Sequence, residues 1–441
     1  MTPAERPEEA PEDPLVAPGR PDFVLVDDPG DIDLLADSLS ADPIALDVER
    51  ASGYRYPDRA FLVQLREREG AARLVDPEGQ NRSLGRLAGA LSERTLILHA
   101  ANQDLPSLRA LGVHPTALID TELAGRFLGL PKVNLGSMVA EFLGIHLSKA
   151  HSAADWSSRP LPEEWLEYAA YDVLWLHELA DITLTRIEEA GLMEWYAAEC
   201  RHLVTAPPPP PAVDPWRRLS QVTSLRSPRL LARARELWHA REQAAIDLDV
   251  APKRILSDAA VIAAAQQRPT DTRTLLAIDG FSGPIRRPLA GRWLAALQRA
   301  DDLEKEALPQ LRGPRGAHPP HASWKRLEPR AAALLALARA ALADLSEEIG
   351  IGHELLLRPS TMRLWVWRAV SGSGVDDEQL MDTVLREEGA RDWQIEVAGP
   401  QLLGALHALR QACRTPAHAR MRSASAGAVI PYFSRISPRD A

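Results

Sequence analysis

The chain has 441 residues, of which 45% are apolar and 25% charged, and it contains two cysteines. This length and composition are typical of about three globular domains. They exclude a chain that is disordered throughout and a small protein stabilised mainly by disulfide bonds. The sequence shows neither a secretion signal nor an apolar stretch long enough to span a bilayer, which predicts a soluble cytoplasmic protein without a membrane partner.

Charge is distributed unevenly along the chain. The net charge is −10, and residues 1–42 alone carry 12 acidic residues and two arginines. Residues 216–300 carry 15 basic and seven acidic residues, an excess suited to phosphate backbones. A solvated basic face explains the same excess. Because 46 of the 51 basic residues are arginines spread along the whole sequence, a single arginine is weak evidence for phosphate binding.

The pattern along the first two hundred residues predicts strands and helices in alternation. Residues 1–21 are rich in Pro, Glu and Ala and are predicted to be a disordered acidic tail. Strands are then predicted at 44–49, 61–65, 73–76 and 95–99, and the strongest helical pattern runs from 163 to 189. This order predicts an α/β domain with a mixed sheet and helical cover.

A polyproline run, Pro207 to Pro211, ends this first domain because it can enter neither a helix nor a central strand. The sequence beyond it is helical in pattern, with a second break at 312–320. The predicted segments are a tail (1–21), the α/β domain (22–205), a linker (206–218), a helical domain (219–302), a second linker (303–322) and a last helical domain (323–441).

Two carboxylates lie within one predicted strand. Asp47 and Glu49 are at i and i+2, so both side chains point to the same face of the sheet. Two like charges on a half-buried face repel each other and lose hydration, which favours a compensating cation. The alternative is that Glu49 lies at the strand end, solvated and close to Arg50.

Two further carboxylates follow along the chain. Asp104 comes just after a predicted strand, where it could simply favour the start of a helix. Tyr168 and Asp172 are at i and i+4 and therefore share one face of a helix. Asp172 lies in an apolar stretch, so its carboxylate needs a partner. The alternative to a functional role is a salt bridge to an arginine such as Arg159 or Arg186.

The four acids and the tyrosine, in this order, resemble the three motifs of the DEDD superfamily of 3′–5′ exonucleases. Within that superfamily they resemble the tyrosine-containing branch, and ribonuclease D most of all. The resemblance covers residues 22–200 and includes Phe61-Leu-Val-Gln-Leu and Asp155-Trp-Ser-Ser-Arg-Pro-Leu. Residues 219–300 resemble an HRDC domain, and 323–415 the second, more divergent helical domain of actinobacterial ribonuclease D-like proteins. The implied architecture is a ribonuclease H-like exonuclease domain followed by two all-α helical-bundle domains.

The resemblance implies a site for two divalent cations, Mg²⁺ or Mn²⁺, which prefer hard carboxylate oxygens. Asp47, Glu49 and Asp172 would hold the first ion, and Asp47 with Asp104 the second. Tyr168 would orient the attacking water rather than act as a base, since a free tyrosine has a pKa near 10. Such an ion pair can stabilise in-line displacement at phosphorus.

The implied activity is a metal-dependent 3′–5′ exoribonuclease that releases nucleoside 5′-monophosphates, in 3′ processing of tRNA and other stable RNA. The expected partners are single-stranded 3′ ends and structured RNA precursors, and a monomer is favoured. Two alternatives are an exonuclease that acts on DNA and a nucleic-acid-binding scaffold with an inactive domain. Candidate substrate contacts are His99, Lys149 and His151.

Overall fold

The computed structural model describes residues 19–40, 42–80, 82–147, 151, 153–208, 210–313, 316–372 and 376–414. Most of the predicted tail, residues 1–18, and the candidate contact Lys149 lie outside the described residues. The chain forms two compact units, residues 1–315 and 316–441. Among the described helices, none is long and apolar enough to cross a membrane.

A mixed sheet forms the centre of the first unit. Its strands in the described residues are Phe23–Val26 (β1), Ile44–Arg50 (β2), Ala60–Arg66 (β3), Ala72–Val75 (β4), Thr95–Leu98 (β5) and Ala117–Asp120 (β6). Their spatial order is β1-β4-β3-β2-β5-β6. Strands β2, β3 and β4 pair antiparallel, whereas β1 with β4, β2 with β5, and β5 with β6 pair parallel. This confirms the predicted α/β class and adds β1 and β6 to the four predicted strands.

Helices surround the sheet. They are Pro29–Ser38 (α1), Arg86–Ser92 (α2), Ala101–Ala110 (α3), Thr121–Phe127 (α4), Leu135–Leu143 (α5), Glu163–Leu174 (α6), Leu176–Glu189 (α7) and Met193–Thr205 (α8). The prediction of one helix over 163–189 was wrong. Trp175 departs from helical geometry, with φ −115° and ψ 12°, and its ring stacks on Tyr171 at 5.9 Å. The chain therefore turns between α6 and α7.

The two faces of the sheet pack against different helices, as the alternation along β2 predicts. Ile44, Leu46 and Val48 belong to a buried cluster that includes residues of α1, α2 and α3. Ala45, on the opposite face, belongs to a second cluster that includes Leu166, Ala169 and Val173 of α6. Helix α6 thus covers the face of β2 that also carries Asp47 and Glu49.

A helical module completes the first unit. Its helices are Pro228–Leu248 (α9), Pro252–Ile255 (α10), Asp258–Gln267 (α11), Thr272–Leu276 (α12) and Ala290–Asp302 (α13). The large side chains Trp216, Phe281 and Trp293 are fully buried at its centre. Each of the two longest helices, α9 and α13, packs along the other, so the module has a core of its own.

The helical module docks on the turn between β2 and β3. Arg59 and Arg82 both donate hydrogen bonds to the carboxylate of Asp249, at 2.8–2.9 Å. The Ala251 N–H donates to the carbonyl of Tyr54 at 2.9 Å, and Tyr56 packs against the core of the module. Charged hydrogen bonds and apolar contact therefore hold the module beside the end of β2.

The second unit is also helical, which confirms the all-α prediction for this part of the chain. Its described helices are Trp324–Leu327 (α14), Pro329–Ile349 (α15), His353–Leu356 (α16), Pro359–Ser371 (α17), Asp377–Glu387 (α18) and Asp392–Arg414 (α19). Trp324 and Trp365 are fully buried within this unit.

Replacement of Asp249 by Asn should destabilise the first unit by about 2 kcal/mol at neutral pH, the scale of one charged hydrogen bond. Burial alone would raise the pKa of Asp249, but Arg59 and Arg82 outweigh it and hold that pKa below the usual value. The stabilisation is therefore complete above about pH 4 and disappears as the pH falls through the lowered pKa. Urea unfolding of both proteins across this range measures the difference.

Asp247→Asn is the matched control, because the described partners of Asp247, Arg292 and Gln243, both belong to the helical module. This variant should be clearly less destabilised than Asp249→Asn. Equal destabilisation of the two variants would mean that the interaction with Arg59 and Arg82 does not stabilise the unit.

Candidate active site

The first two predicted acids lie side by side on a covered face of the sheet. Asp47 is partly buried, and Glu49 is only 8% exposed. The alternative of a solvated Glu49 at the strand end is therefore wrong: the pairing of β2 with β3 continues through Glu49, and α6 covers the same face.

Helix α6 brings the third acid to this face. Ligand oxygens of Asp47, Glu49 and Asp172 lie within 4.8 Å of one another. Neither of the arginines considered as partners for Asp172 is used in that way. Arg159 binds Asp76, and Arg186 lies over the ring of Phe142. Because α6 packs across β2, acids that are far apart in the sequence meet at one point.

Asp104 approaches the group from the first turn of α3, as predicted, and it is 4% exposed. Among the described residues it is not part of the three-acid group. The side chain of Asp120 fixes the start of α3 by accepting hydrogen bonds from the Ala100 and Ala101 N–H groups, at 3.1 and 2.9 Å. Asp120 also caps α4.

Burial raises the pKa of every acid in the site, and the charges of neighbouring acids raise the pKa values of Glu49, Asp104 and Asp172 further. Burial raises the pKa of Asp47 to about 7, although Arg50 opposes the shift. Burial and then the charge of Asp47 raise the pKa of Asp104 to about 8. The pKa values of Glu49 and Asp172 lie well above their usual range for the same two reasons. The protein thus concentrates negative charge where water cannot fully screen it.

The phenol of Tyr168 lies beside the acids and stays protonated. Burial, and then the charges of Asp172, Glu49 and Asp47, raise its pKa far above the usual value. The ring also lies among aromatic neighbours, with centroids 6.4 Å from Trp156 and 6.0 Å from His151. A neutral phenol in a fixed orientation can form hydrogen bonds but cannot serve as a base.

The candidate substrate contacts have different surroundings. His151 is partly exposed and lies next to Tyr168, at the edge of the acid site. The Nδ1 atom of His99 lies 2.9 Å from the Thr121 hydroxyl, and burial lowers the pKa of His99 to about 4. A neutral imidazole held in this way favours a structural role for His99. Lys149 lies outside the described residues.

Two residues at the site were not predicted as functional. Arg50 lies 3.7 Å from Asp104 and donates to the carbonyl of Gln103 at 2.6 Å. Gln64 pairs with Asp47 across β2 and β3, is fully buried, and has no hydrogen-bond partner for either amide atom among the described residues. The sequence offered one signal for Gln64: it is a glutamine within the apolar run 61–65, and a buried amide needs hydrogen-bond partners.

The residues of this site fit a divalent cation. Three carboxylates offer hard oxygen ligands close together, which suits Mg²⁺ or Mn²⁺ better than zinc. Within the described ranges, the ion pair of Arg50 with Asp104 is the one salt bridge to these four acids. One guanidinium leaves most of the negative charge uncompensated, so a bound cation would relieve the repulsion.

Family models match three parts of the chain. Residues 26–188 match a 3′–5′ exonuclease family, residues 231–297 the HRDC domain, and residues 317–406 a 3′ to 5′ exonuclease C-terminal domain. The exonuclease match contains all four acids and Tyr168.

Curated and solved relatives extend over most of the chain. Ribonuclease D of Gluconacetobacter diazotrophicus is 31% identical over 348 residues, covering 77% of this chain and 84% of that protein. The crystal structure of a protein from Bifidobacterium adolescentis is 30% identical, with a TM-score of 0.78 over 88% of this chain and 97% of that one. The structure of Escherichia coli RNase D, described as an exoribonuclease involved in structured RNA processing, is 26% identical with a TM-score of 0.64, covering 88% and 99% of the respective chains.

Addition of Mg²⁺ or Mn²⁺ should raise the thermal unfolding midpoint of the metal-free protein by about 2–4 °C for each kcal/mol of binding. Asp172→Asn should shrink this increase, because it removes one ligand oxygen charge. The same variant should unfold at a higher temperature than wild type without metal, because it removes repulsion. Differential scanning calorimetry with and without a chelator measures both effects.

Asp181→Asn is the control, since Asp181 is an exposed acid of the same domain that pairs with Arg68. It should keep the full increase on cation addition. An unchanged increase in Asp172→Asn would show that the three acids do not bind the ion.

Proposed function

This chain belongs to the ribonuclease D family of 3′–5′ exonucleases, and we propose that Asp47, Glu49, Asp104, Asp172 and Tyr168 form its active site. The enzyme is a 3′–5′ exoribonuclease, as the sequence predicted. The single observation that carries the site assignment is the convergence of Asp47, Glu49 and Asp172 within 4.8 Å. The proposed reaction removes nucleoside 5′-monophosphates, one at a time, from the 3′ end of an RNA.

The acids divide into two ligand sets in this proposal. Asp47, Glu49 and Asp172 hold one divalent ion, and Asp47 with Asp104 holds a second. Bound cations supply positive charge that stabilises the attacking and leaving oxygens of an in-line displacement. The burial of Asp104 and its interaction with Arg50 support a role close to the three-acid group.

Tyr168 positions the attacking water. Its proton is directed to the adjacent carboxylate of Asp172, and this interaction opposes the raised pKa of that acid. The phenolic oxygen is then free to accept a hydrogen bond from water. Packing against Trp156 and His151 keeps the ring in one orientation, so the water is held in line with the scissile bond.

The proposed substrates are single-stranded 3′ ends of structured RNA precursors, including tRNA, and His151 and Lys149 are proposed to contact them. The positive excess of residues 216–300 and the described role of the Escherichia coli relative support this choice. All proposed catalytic residues lie in one chain, so a monomer would carry a complete site, and a monomeric enzyme is part of the proposal. Both cysteines are free, which supports a reducing, cytoplasmic location.

Asp47→Asn should lower the rate of RNA hydrolysis at least about 100-fold, because Asp47 belongs to both ligand sets. The measurement uses 5′-labelled single-stranded RNA with Mg²⁺, with Mn²⁺ and with a chelator. Wild-type protein should shorten the RNA stepwise from the 3′ end only with a cation, and Asp181→Asn should behave as wild type. Equal or faster cleavage of the matching DNA would favour the alternative substrate.

Tyr168→Phe should lower kcat roughly 10- to 100-fold and leave the cation-induced thermal shift intact, because it removes a hydrogen bond to water but no ligand oxygen. Single-turnover hydrolysis with saturating enzyme gives the rate of the chemical step. A wild-type rate would remove Tyr168 from the mechanism, and disappearance of the thermal shift would assign it to cation binding instead.

A further inference from the structure

A cleft of about 390 Å³ lies between the β2–β3 turn and the helical module. Three arginines line it: Arg55 from the turn, Arg254 from α10, and Arg286 just before α13. Asp155 is the one acidic side chain in its lining. The lining therefore carries an excess of two positive charges.

These three arginines differ from others at the same junction. Arg59 and Arg82 pair with the carboxylate of Asp249, so their charges are neutralised. In the described part of the chain, Arg55, Arg254 and Arg286 form no ion pair with a carboxylate. Among the described residues, other arginines such as Arg109 and Arg229 also bind carbonyls without a carboxylate partner, so what distinguishes these three is that they line one cleft together.

Neutral oxygens hold the three guanidinium groups in place. Arg254 donates to the Gly53 carbonyl at 2.7 Å and lies 4.0 Å over the ring of Tyr54. Arg286 donates to the Ile255 carbonyl at 2.9 Å. A guanidinium has five N–H donors, and Arg254 commits one of them, so donors remain for an incoming anion.

Arg55 donates hydrogen bonds to the Ser157 hydroxyl at 2.8 Å and to the Asp249 carbonyl at 3.5 Å. Asp155, the acidic residue of the cleft lining, accepts hydrogen bonds from the hydroxyl and the N–H of Ser157. The cleft is thus a preformed cationic site and needs little rearrangement to bind an anion.

Two chain segments connect the cleft with the acid site. Tyr54 lies five residues after Glu49, in the turn that continues β2. Asp155 lies four residues after His151, whose ring contacts Tyr168. The rings of Tyr54 and Tyr168 pack against the same buried cluster.

We propose that this cleft binds a phosphodiester of the RNA strand whose 3′ end lies at the carboxylate cluster. Guanidinium groups match phosphate oxygens in charge and geometry. The volume also accommodates the adjoining ribose, with Val250 and the 42% exposed Ile285 as apolar surface. This inference rests on the proposed exonuclease function, since it places the cleft on the path of that substrate.

The test is the binding of fluorescent single-stranded RNA to full-length protein in the presence of a chelator, so that hydrolysis does not interfere. Arg254→Gln combined with Arg286→Gln should weaken binding roughly tenfold, the effect of removing about one charged hydrogen bond. The slope of log K against log salt should become less negative by about 0.7 for each phosphate that the variant no longer binds. Fluorescence anisotropy across a salt series gives both quantities.

Two further variants separate charge from structure. Arg273→Gln changes the charge of an exposed residue of α12 outside the cleft, and should keep wild-type affinity and slope. Arg254→Lys with Arg286→Lys removes the same guanidinium packing but keeps the charge, so most of the salt dependence should return. An equal deficit in the Lys and Gln pairs, or in Arg273→Gln, overturns the proposal.

A nucleoside 5′-monophosphate, tested as a ligand of the same proteins, separates the two sources of phosphate. If it binds wild type but not the Gln pair, while RNA binds both equally, the cleft is a nucleotide site and the proposal is wrong. Stepwise hydrolysis by wild-type protein is scored in parallel. Its absence would contradict the exonuclease function, whereas the binding measurements would still report on the cleft.

Discussion

Repulsion among four carboxylates that β2, α3 and α6 bring together is the constraint on which the first unit depends. The ligand oxygens of Asp47, Glu49 and Asp172 lie within 4.8 Å of one another, so at an effective dielectric constant of about 20 two of these carboxylates, when charged, repel by roughly 3–4 kcal/mol. A typical internal hydrogen bond contributes about 1 kcal/mol, so no single neighbour offsets such a pair. Burial raises the pKa of Asp47, and burial together with the charge of Asp47 raises the pKa of Asp104. This concentration of negative charge favours the binding of a divalent cation.

The surrounding structure resists this repulsion by rigid packing. Strand β2 is paired on both sides, with β3 and β5, and α6 packs across it through Leu166, Ala169 and Val173. The side chain of Asp120 joins the starts of α3 and α4 through four backbone N–H groups, which fixes the helix that carries Asp104. The acids cannot move apart without breaking these interactions.

The helical module is joined to the same part of the sheet domain. Its contact runs through the turn that follows β2, where Asp249 accepts from Arg59 and Arg82. Neutralised arginines hold the two parts together, and arginines that form no ion pair within the described ranges line the cleft beside them. At this junction, arginines bound to a carboxylate form the structural contact, whereas the cleft arginines held by neutral oxygens form the proposed phosphate site.

The sequence by itself determined the class of the fold and the identity of the acids. Alternation along 44–49 placed Asp47 and Glu49 on one face, and the spacing of Tyr168 and Asp172 placed them on one side of a helix, because these periodicities are local. The motif order then identified the family. The short strands β1 and β6 were missed, since four residues with mixed burial carry little periodic signal.

Only the tertiary structure decided which of the competing roles each residue has. Glu49 is buried because α6 covers its face, and Asp172 is not paired with Arg159 because that arginine reaches Asp76 instead. The break at Trp175, the unpartnered amide of Gln64 within the described ranges and the arginine cleft likewise depend on contacts between distant segments. Local sequence fixes which way a side chain points along its own element, whereas the partner it meets depends on how the elements pack.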